Sequence, residues 1–237
     1  MGSPVTDRRD EIRDGLHRVQ HRIDAACATA GRDPSEVTLV VVTKFFPASD
    51  VRILAELGVT DVGENRHQEG VAKHTELSEV GLTWHFIGGL QSNKAAAVGA
   101  WVDVVHSVDR ARLLGGLSRA AHERDRAVDV LVQVSLDPPD TGGRSGVDPD
   151  DVEALASAVL DSEGLRLRGV MGVAPLGGDP AEAFAILSSA AAVVRSLDAA
   201  ATWFSAGMSG DLEAAIEAGA THVRVGSAVL GNRPAAG

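Results

Sequence analysis

Tyrosine is absent from the 237 residues, and the other aromatic residues are few: three tryptophans and five phenylalanines. A mechanism that needs a tyrosine hydroxyl as its acid or base is therefore excluded for the residues of this chain. Cysteine is almost as scarce. Because the single Cys27 cannot form a disulfide within the chain, the composition favours a reducing compartment such as the cytoplasm.

Positive charge is in deficit as well, since 22 lysine and arginine residues face 33 aspartate and glutamate residues, for a net charge of −11. Nucleic-acid binding needs a surplus of lysine and arginine on one face, so we expect no nucleic-acid partner. We see no apolar run of membrane-spanning length, and the polar start MGSPVTDRRDE lacks a signal-peptide core. We therefore expect no membrane partner.

What the sequence does contain is a regular alternation of strand and helix patterns. Apolar runs predict strands at residues 37–43, 60–63, 84–88, 102–107, 128–136, 165–173, 202–206 and 222–225. Helical spacing predicts helices at 6–30, 48–57, 66–77, 109–123, 149–160, 180–197 and 209–218, with a further helix opening near 90–94.

Eight such βα units predict an α/β protein, a single (β/α)8 TIM barrel. Residues 1–36 are expected to form an extra N-terminal helix packed on the barrel of residues 37–237, within one domain overall. A doubly wound open sheet is the alternative. That fold calls for a glycine-rich turn after the first strand, and Lys-Phe-Phe-Pro stands there instead.

Lys44 ends the first strand, TLVVVTK, and is followed by Phe45, Phe46 and Pro47. α/β barrels place their chemistry at the carboxyl ends of the strands. An ammonium group among aromatic and aliphatic side chains is poorly solvated, so the neutral amine, a nucleophile for aldehydes, is favoured. Lys44 is thus a candidate Schiff-base residue. The alternative is a lysine that extends its ammonium into solvent.

Two turns near the end of the chain suit an anion. Residues 203–211 read WFSAGMSGD and residues 223–228 read VRVGSA, so in both a strand pattern breaks at small residues before a helix pattern. TIM barrels often bind phosphate after strands seven and eight. Ser205, Ser209 and Ser227 add hydroxyl donors. Either turn alone could be a tight turn without a ligand, but both together with Lys44 predict a phosphorylated ligand.

Arg224 lies two residues before Gly226, so the two are expected to face the same side of the last strand. If the ligand is pyridoxal 5′-phosphate (PLP), Lys44 meets its aldehyde, the turns meet its phosphate, and Arg224 reaches the ring nitrogen. Arginine only donates hydrogen bonds, so it would bind an unprotonated nitrogen and weaken the ring as an electron sink. The alternative is an interior salt bridge from Arg224 to a carboxylate such as Glu64.

Two other features of the sequence do not predict a site. His17 and His21 lie one helical turn apart, but no third ligand is placed beside them, so no metal site is predicted. The Pro/Gly-rich loop at residues 137–146 does not have the spacing of a phosphate-binding loop.

Five segments together resemble the YggS/PROSC family of pyridoxal-phosphate-binding proteins, also called PLP homeostasis proteins. They are TLVVVTK, GENRHQE, WHFIGGLQSNK, SAGMSGD and VRVGSAVLG, and they follow the family's order from about residue 37 to the end. The resemblance implies a barrel like the N-terminal domain of alanine racemase, with PLP bound as a Schiff base. It also implies a role in vitamin B6 and amino-acid homeostasis without established catalysis.

Carried over by position, the resemblance implies Lys44 as the covalent lysine and Arg224 as the partner of the ring nitrogen. The phosphate is expected to be held by Ser205, Gly226 and Ser227. Further cofactor-binding positions implied by the resemblance are Met208 and Ser209 in the same turn and Asn65 near the ring.

The chain departs from the family pattern at three places. Phe45 and Phe46 follow the lysine where the family usually has polar residues, and Arg66 replaces the aromatic residue of GENYVQE. We expect both changes to alter what packs beside the cofactor. Gly89 replaces the proline of WHFIGPLQ and is expected to loosen a turn.

Two functions from different classes remain open. The chain either binds, buffers or delivers PLP, with PLP-dependent apoenzymes as candidate partners, or it is a PLP-dependent amino-acid racemase. A two-base racemase needs a second proton-transfer group, which alanine racemase supplies as tyrosine and for which His85 or a second subunit could substitute. A barrel enzyme for a phosphorylated sugar is a third interpretation. We predict the PLP-binding protein: monomeric, cytoplasmic and without robust catalysis.

Overall fold

The computed structural model describes residues 7–137 and 145–232. Its strands are β1 Thr38–Val42, β2 Asp61–Glu64, β3 Thr83–Phe86, β4 Val104–Val108, β5 Val128–Gln133, β6 Leu165–Met171, β7 Trp203–Ser205 and β8 His222–Val225. Neighbours along the chain pair in parallel, and β8 pairs with β1 from Thr38–His222 to Val41–Val225. This closure confirms the predicted (β/α)8 barrel, because an open sheet would leave two edge strands unpaired.

The helices are α1 Arg8–Ala30, α2 Ala48–Glu56, α3 His67–Glu76, α4 Ala95–Gly99, α5 Leu114–Glu123, α6 Val152–Leu160, α7 Pro180–Leu197, α8 Leu212–Glu217 and α9 Ser227–Leu230. Most of the buried apolar side chains lie between the strands and these helices. β-branched residues make up at least half of β1, β4 and β5, as in the TLVVV sequence of β1, because they pack well on a pleated surface that is covered on both sides.

Alternation along the strands decides which side chains fill the barrel interior. One part of the interior is apolar and contains Val104, Leu131 and Met171. Another part is polar, because β3, β4, β7 and β8 contribute buried polar side chains, namely His85, His106, Ser205, His222 and Arg224. These polar residues lie beneath the carboxyl-end mouth where barrel chemistry takes place.

Helix α1 precedes the barrel and packs against α2, α8 and α9. Asp7 caps its first turn, and Gly31 ends it in a left-handed conformation. Gly15 permits the closest approach, since a Cβ there would lie 2.1 Å from the carbonyl oxygen of Val229. The predicted contact of the N-terminal helix with the barrel is therefore made mainly at the phosphate-turn side, while the domain division at residue 36 stays a prediction.

The sequence expectation about membrane-spanning length needs a correction. Helix α7, with 18 residues and a mean hydropathy of 1.2, is long and apolar enough to cross a membrane by length and composition alone. In the structure α7 packs against β6, α6 and α8 and buries Phe184, Leu187 and Val194.

Helix and strand boundaries differ from the prediction at several turns. The strand predicted at 128–136 ends at Gln133, since Val134 forms only an isolated bridge to Val147. The helices predicted from 109 and 209 begin at Leu114 and Leu212, because 3-10 or turn geometry precedes them. Most of the loop predicted at 137–146 lies outside the described residues.

Candidate functional site

A cleft of about 640 Å³ opens at the carboxyl ends of β1, β7 and β8. We call it the strand-end cleft. Its lining comes from the ends of those strands and the turns that follow, namely Val42, Lys44, Phe45, Phe46, Met208, Ser209, Gly210, Arg224, Gly226, Ser227, Gly231 and Asn232. The fold thus brings the candidate lysine, both candidate anion-binding turns and the candidate arginine to one place.

Lys44 lies half-buried in this cleft, on the inward parity of Val40 and Val42. Both phenylalanines that follow it line the cleft too, and Phe46 is buried. The predicted apolar surroundings of Lys44 are therefore present.

Phe45 adopts a left-handed conformation with φ of 70°, which is unfavourable for a residue with a bulky side chain. Its N–H donates to Oε1 of Glu69, and the N–H of Phe46 donates to the carbonyl of Thr43 at 3.0 Å. The ring of Phe45 lies 4.9 Å from the guanidinium carbon of Arg66. Arg66, which departs from the family pattern, thus packs directly beside residues 43–47, the loop that carries Lys44 and that we call the lysine loop.

A cluster beneath that loop holds it in place, and we call it the lysine cluster: Lys73, Glu64, Glu69 and Thr43. The ammonium of Lys73 donates to Oε1 of Glu64 at 2.7 Å, to Oε1 of Glu69 at 2.8 Å and to the carbonyl of Thr43 at 2.8 Å. These contacts use all three of its donors. Burial raises the pKa of Glu64, although the bonds from Lys73 and Thr43 oppose the rise.

The turn after β8 brings backbone close to the cleft. Gly226 lies against β1, where a Cβ would meet the carbonyl oxygen of Val42 at 3.0 Å and its Cβ at 3.3 Å. The short helix α9 starts at the next residue, so the first N–H groups of its opening turn have no partner within the helix. Ser227 adds an exposed hydroxyl at this point.

The turn after β7 lies alongside. Gly207 has φ of 90°, a conformation that glycine adopts without strain, and its carbonyl accepts from the backbone N–H of Arg224 at 2.8 Å. Met208 donates its N–H to Oδ1 of Asp211 at 2.6 Å. The carbonyl of Ser209 accepts from Nη1 of Arg22, on α1, at 2.9 Å. The first helix of the chain therefore fixes one side of the cleft.

Arg224 enters the cleft from below and is only 4% exposed. Nη1 donates to Oγ of Ser205 at 2.7 Å and Nη2 donates to the carbonyl of Gly172 at 2.9 Å. Burial lowers the pKa of Arg224 to about 10, so the guanidinium stays charged at neutral pH.

The alternative salt bridge between Arg224 and Glu64 is wrong. Glu64 contacts Gly70 of α3 and bonds to Lys73, on the helix side of β2, whereas Arg224 lies in the barrel interior. Opposite strand parity separates the two side chains.

Ser205 is a predicted site residue that the fold does not bring into the cleft. Its side chain is fully buried in the barrel, between Nη1 of Arg224 and Nδ1 of His106, which lies 2.9 Å from Oγ. Its position gives no support to direct contact with a phosphate. Ser205 instead contacts the arginine that the sequence assigned to the ring nitrogen.

Asn65 follows β2 on the inward parity of Asp61 and Gly63 and lies outside the lining of the strand-end cleft. Its Oδ1 atom is buried and has no hydrogen-bond partner among the described residues. Gly88 packs directly on its backbone, since a Cβ there would lie 2.2 Å from the Asn65 carbonyl oxygen. A glycine at position 88 is thus required for Asn65 to stand where it does.

Sequence reasoning missed several residues that support the site. Lys73 and Glu69 fix the lysine loop, and His106 reaches Ser205. The signal for His106 was a histidine inside the valine-rich run VDVVHSV, at a position where β4 faces the barrel interior. For Lys73 the one local signal was its i, i+4 spacing from Glu69, because its other partners, Thr43 and Glu64, come from separate segments.

Comparison with known proteins agrees with this geometry. Residues 15–234 match the family described as alanine racemase, N-terminal domain. A curated relative from Mycobacterium bovis, named pyridoxal phosphate homeostasis protein, is 44% identical over 98% of this chain and 96% of its own length. The chain belongs to the pyridoxal phosphate homeostasis protein family. An Escherichia coli member of the same name is 36% identical over 94% of this chain and 97% of its own.

Solved structures place the family's fold beside a cofactor. PipY of Synechococcus elongatus PCC7942, solved with PLP bound, superposes with a TM-score of 0.76 at 36% identity, covering 88% of this chain and 100% of that one. Alanine racemase of Corynebacterium glutamicum superposes with a TM-score of 0.63 at 16% identity, covering 90% of this chain and 60% of that one. The second likeness is one of fold alone.

Proposed function

We propose that this member of the family binds PLP as a Schiff base on Lys44 and serves PLP and amino-acid homeostasis without robust catalysis. The observation that carries the proposal is the strand-end cleft, where Lys44, two glycine-containing turns and Arg224 converge. PLP bound to the PipY relative supports the same cofactor for this chain.

The residues present fit the cofactor. The aldehyde of PLP needs an amine, which Lys44 offers. Its phosphate needs backbone and hydroxyl donors, which the turn of Gly226 and Ser227 offers. Its pyridine nitrogen needs a donor in the ring plane, which Arg224 offers. Gly226 keeps the backbone close because a side chain there would press on Val42. The unpartnered Oδ1 of Asn65 is a buried acceptor near the mouth that a ligand group could satisfy.

When bound, PLP supplies an electrophilic aldehyde and a conjugated ring. The amine of Lys44 adds to the aldehyde carbon, and the carbonyl oxygen leaves as water, so a carbon–nitrogen double bond replaces the carbon–oxygen one. Lys44 is the suitable lysine among three in the chain. Lys73 is buried and donates to three oxygens, and Lys94 is exposed on a short turn outside the cleft.

The charge around the ring argues against turnover. Arg224 keeps its proton at neutral pH and can only donate, so it holds a pyridine nitrogen in its unprotonated form. This limits the electron-withdrawing capacity on which transaminase-type chemistry depends.

A racemase would need a second proton-transfer group at the mouth. The chain has no tyrosine, and the candidate substitute, His85, is buried in the barrel with one ring nitrogen against Asp61 and the other against His106. Neither nitrogen is available to a substrate. These observations favour a binding or delivery protein over an enzyme.

For partners, we propose PLP-dependent apoenzymes that receive the cofactor, a monomeric state, and a cytoplasmic location. The single buried Cys27 and the net charge of −11 support the reducing compartment and the absence of a nucleic-acid partner. The packing of α7 on α6 and α8 supports the absence of a membrane partner.

The test is reduction with borohydride followed by peptide mapping. Protein incubated with PLP should show a visible absorption band, and reduction should fix one PLP to Lys44. Lys44→Ala should abolish both the band and the adduct, whereas Lys94→Ala, the matched control, should retain them. An adduct on Lys73 or Lys94 in the wild type, or an unchanged band in Lys44→Ala, contradicts the proposal.

Homeostasis without turnover is tested separately. Holo protein incubated with either enantiomer of alanine should form less than one equivalent of the opposite enantiomer per protein molecule. It should also transfer PLP to an apo-aminotransferase. Conversion of many equivalents of alanine that disappears in Lys44→Ala would instead support the racemase.

A further inference from the structure

A continuous row of hydrogen bonds runs through the barrel beneath the cleft. From the bottom, Oδ1 of Asp61 lies 2.9 Å from Nε2 of His85, and Nδ1 of His85 lies 2.8 Å from Nε2 of His106. Nδ1 of His106 lies 2.9 Å from Oγ of Ser205, which accepts from Arg224 at 2.7 Å. We call Asp61, His85, His106 and Ser205 the histidine chain.

The histidine chain connects five strands and is almost closed to water. Asp61 comes from β2, His85 from β3, His106 from β4, Ser205 from β7, and the arginine at its upper end from β8. His85, His106 and Ser205 are each at most 1% exposed, and the Asp61 side chain is 17% exposed at the opposite end of the barrel. Every ring nitrogen of the two histidines therefore has a protein partner in place of water.

With both imidazoles neutral, the two ends of the histidine chain fix the donor and the acceptor of each hydrogen bond within it. Arg224 can only donate, and the ionised carboxylate of Asp61 can only accept. Nε2–H of His85 therefore donates to Asp61, so Nδ1 of the neutral His85 accepts from Nε2–H of His106. Nδ1 of the neutral His106 then accepts the hydroxyl proton of Ser205, which leaves the serine oxygen free to accept from Arg224.

An added proton would break this consistency. If His85 carried protons on both nitrogens, its Nδ1–H would donate to Nε2 of His106, and the proton of His106 would lie on Nδ1. The oxygen of Ser205 would then face two donors, from His106 and Arg224, and the hydroxyl proton of Ser205 would lose its acceptor. Burial lowers the pKa of His106 well below its ordinary value, and the nearby charge of Arg224 adds to the effect. Burial raises the pKa of Asp61, but the bonds from His85 and Thr60 outweigh it, and the pKa lies below the ordinary value. Both shifts favour the single-direction arrangement.

From this geometry we infer that the histidine chain positions Arg224, holding its guanidinium in the one orientation that presents an N–H to the ring nitrogen of the cofactor. The inference rests on the proposed function. None of the four residues of the histidine chain lies in the lining of the strand-end cleft, so each acts on the cleft through Arg224. With one N–H of Nη1 on Ser205 and one of Nη2 on Gly172, the guanidinium plane is fixed, and its other N–H groups make no hydrogen bond within residues 7–137 and 145–232.

His222 offers a matched control inside the same barrel. Its ring centroid lies 6.4 Å from those of His85 and His106, and it packs at 4.3 Å on Trp203. The one hydrogen-bond partner of its ring among the described residues is Oγ1 of Thr221, at 2.8 Å from Nδ1. Removing His222 therefore removes a buried imidazole without cutting the histidine chain.

The first test compares two ligands on the apoprotein. In His106→Leu we expect the dissociation constant for PLP to rise about tenfold, as for one lost hydrogen bond to a charged group. A carbocyclic analogue of PLP, in which C–H replaces the ring nitrogen, should bind wild type and variant within about twofold of each other. His222→Leu should leave both dissociation constants near the wild-type values, and His106→Asn, whose amide oxygen can accept from Ser205, should recover part of the PLP affinity.

Three outcomes would overturn the positioning role: an unchanged PLP affinity in His106→Leu, an equal loss for the two ligands, or an equal loss in His222→Leu. If His106→Leu does not fold, Ser205→Ala replaces it, because that variant removes the acceptor for Arg224 at little cost in volume. Wild-type protein that binds no PLP at all would overturn the proposed function instead, and the positioning role with it.

The second test needs no cofactor. Nitrogen-15 NMR of the histidine rings in the wild-type apoprotein at neutral pH should show His85 and His106 neutral and protonated on Nε2. Protonation of either ring on Nδ1 would contradict the direction of the chain. In Asp61→Asn the acceptor end becomes ambiguous, so we expect the His85 signals to shift while those of the surface His122 stay unchanged.

Discussion

The lysine cluster and the histidine chain lie on opposite sides of the β1–β2 wall, and both are buried, yet they are built differently. The lysine cluster sets one ammonium against two carboxylates on the helix side of the sheet and leaves Oε2 of Glu64 without a partner among the described residues. The histidine chain sets neutral rings between one cation and one anion inside the barrel. The first holds charge by direct contact, and the second spans a distance with uncharged groups.

The difference is reflected in what each controls. The lysine cluster bonds to backbone, at the Thr43 carbonyl and the Phe45 N–H, and so fixes the conformation of the loop that carries Lys44. The histidine chain bonds to a side chain and fixes the orientation of Arg224. Losing a charge from the first leaves buried ions unpaired, whereas cutting the second leaves neutral groups unpaired, which costs less.

The largest effect is expected from breaking the lysine cluster. Lys73→Met should lower the free energy of unfolding by about 3–5 kcal/mol, because Glu64 and Glu69 would lose their shared cation. Urea denaturation measures the change, and Lys94→Met, at an exposed position, should cost about 0.5 kcal/mol or less. Adding Glu64→Gln to Lys73→Met should restore part of the loss. A Lys73→Met protein as stable as the Lys94→Met control would show that the cluster does not stabilise the loop.

Acid should destabilise the protein through its buried histidines. Burial lowers the pKa of His222 to about 3, and the pKa of His106 is also lowered well below its ordinary value. As pH falls below about 6.5, these histidines bind protons in the unfolded chain but stay neutral in the folded protein. The free energy of unfolding is therefore highest above that pH and declines below it. His222→Leu should remove about 1.4 kcal/mol per pH unit from the decline between pH 6 and pH 4. Urea titrations across this range that give parallel curves for wild type and His222→Leu would contradict the assignment.

Two serines separate phosphate binding from arginine positioning. Ser227→Ala should weaken PLP binding by about 1.5–3 kcal/mol, as for a hydrogen bond to a charged group, and leave pyridoxal binding nearly unchanged. Ser205→Ala should weaken both ligands alike, because Ser205 contacts Arg224 and both ligands carry the ring nitrogen. Calorimetric titration with the two ligands measures this. If Ser205→Ala weakened PLP alone, the sequence-based assignment of Ser205 to the phosphate would stand after all.

The smallest effect concerns the left-handed residue beside Lys44. Phe45→Gly should be about 1 kcal/mol more stable than Phe45→Ala, since only glycine adopts a φ of 70° without strain. Both variants lose the contact with Arg66, so their difference isolates the backbone. Thermal unfolding of the pair measures it. Greater stability of the alanine variant would mean that the loop relaxes to an ordinary conformation and that the lysine cluster does not impose it.

Much of the site could be predicted from single strands and the turns after them. Lys44 was found because it ends a buried strand, and Gly226 because small residues break the last one. Such signals are local, and the barrel closure that brings them together follows from the alternation of elements. The same reasoning gave the parity that places Arg224 inward.

What could not be predicted depends on contacts across the barrel. His106 and Ser205 are separated by 99 positions, and Lys73 and Thr43 by 30, so no local pattern records that they meet. Glu64 stayed open as an alternative partner of Arg224 because its strand was predicted to end at residue 63, which left the direction of its side chain undecided. Ser205 was predicted within a strand at residues 202–206, but its hydroxyl was assigned to the phosphate, whereas it closes β7 and faces inward.

The contact of helix α1 with the last turns also bears on when the cleft comes into existence. Nη2 of Arg8 donates to the carbonyl of Leu230, 222 positions further along, and β1 needs β8 to complete its pairing in the sheet. When only the first seven strands have been synthesised, Lys44 is present but the turn of Gly226 and the guanidinium of Arg224 are not. Long-range closure of this kind is slow. We therefore expect PLP to load after the barrel has closed, when Lys44, the Gly226 turn and Arg224 lie together.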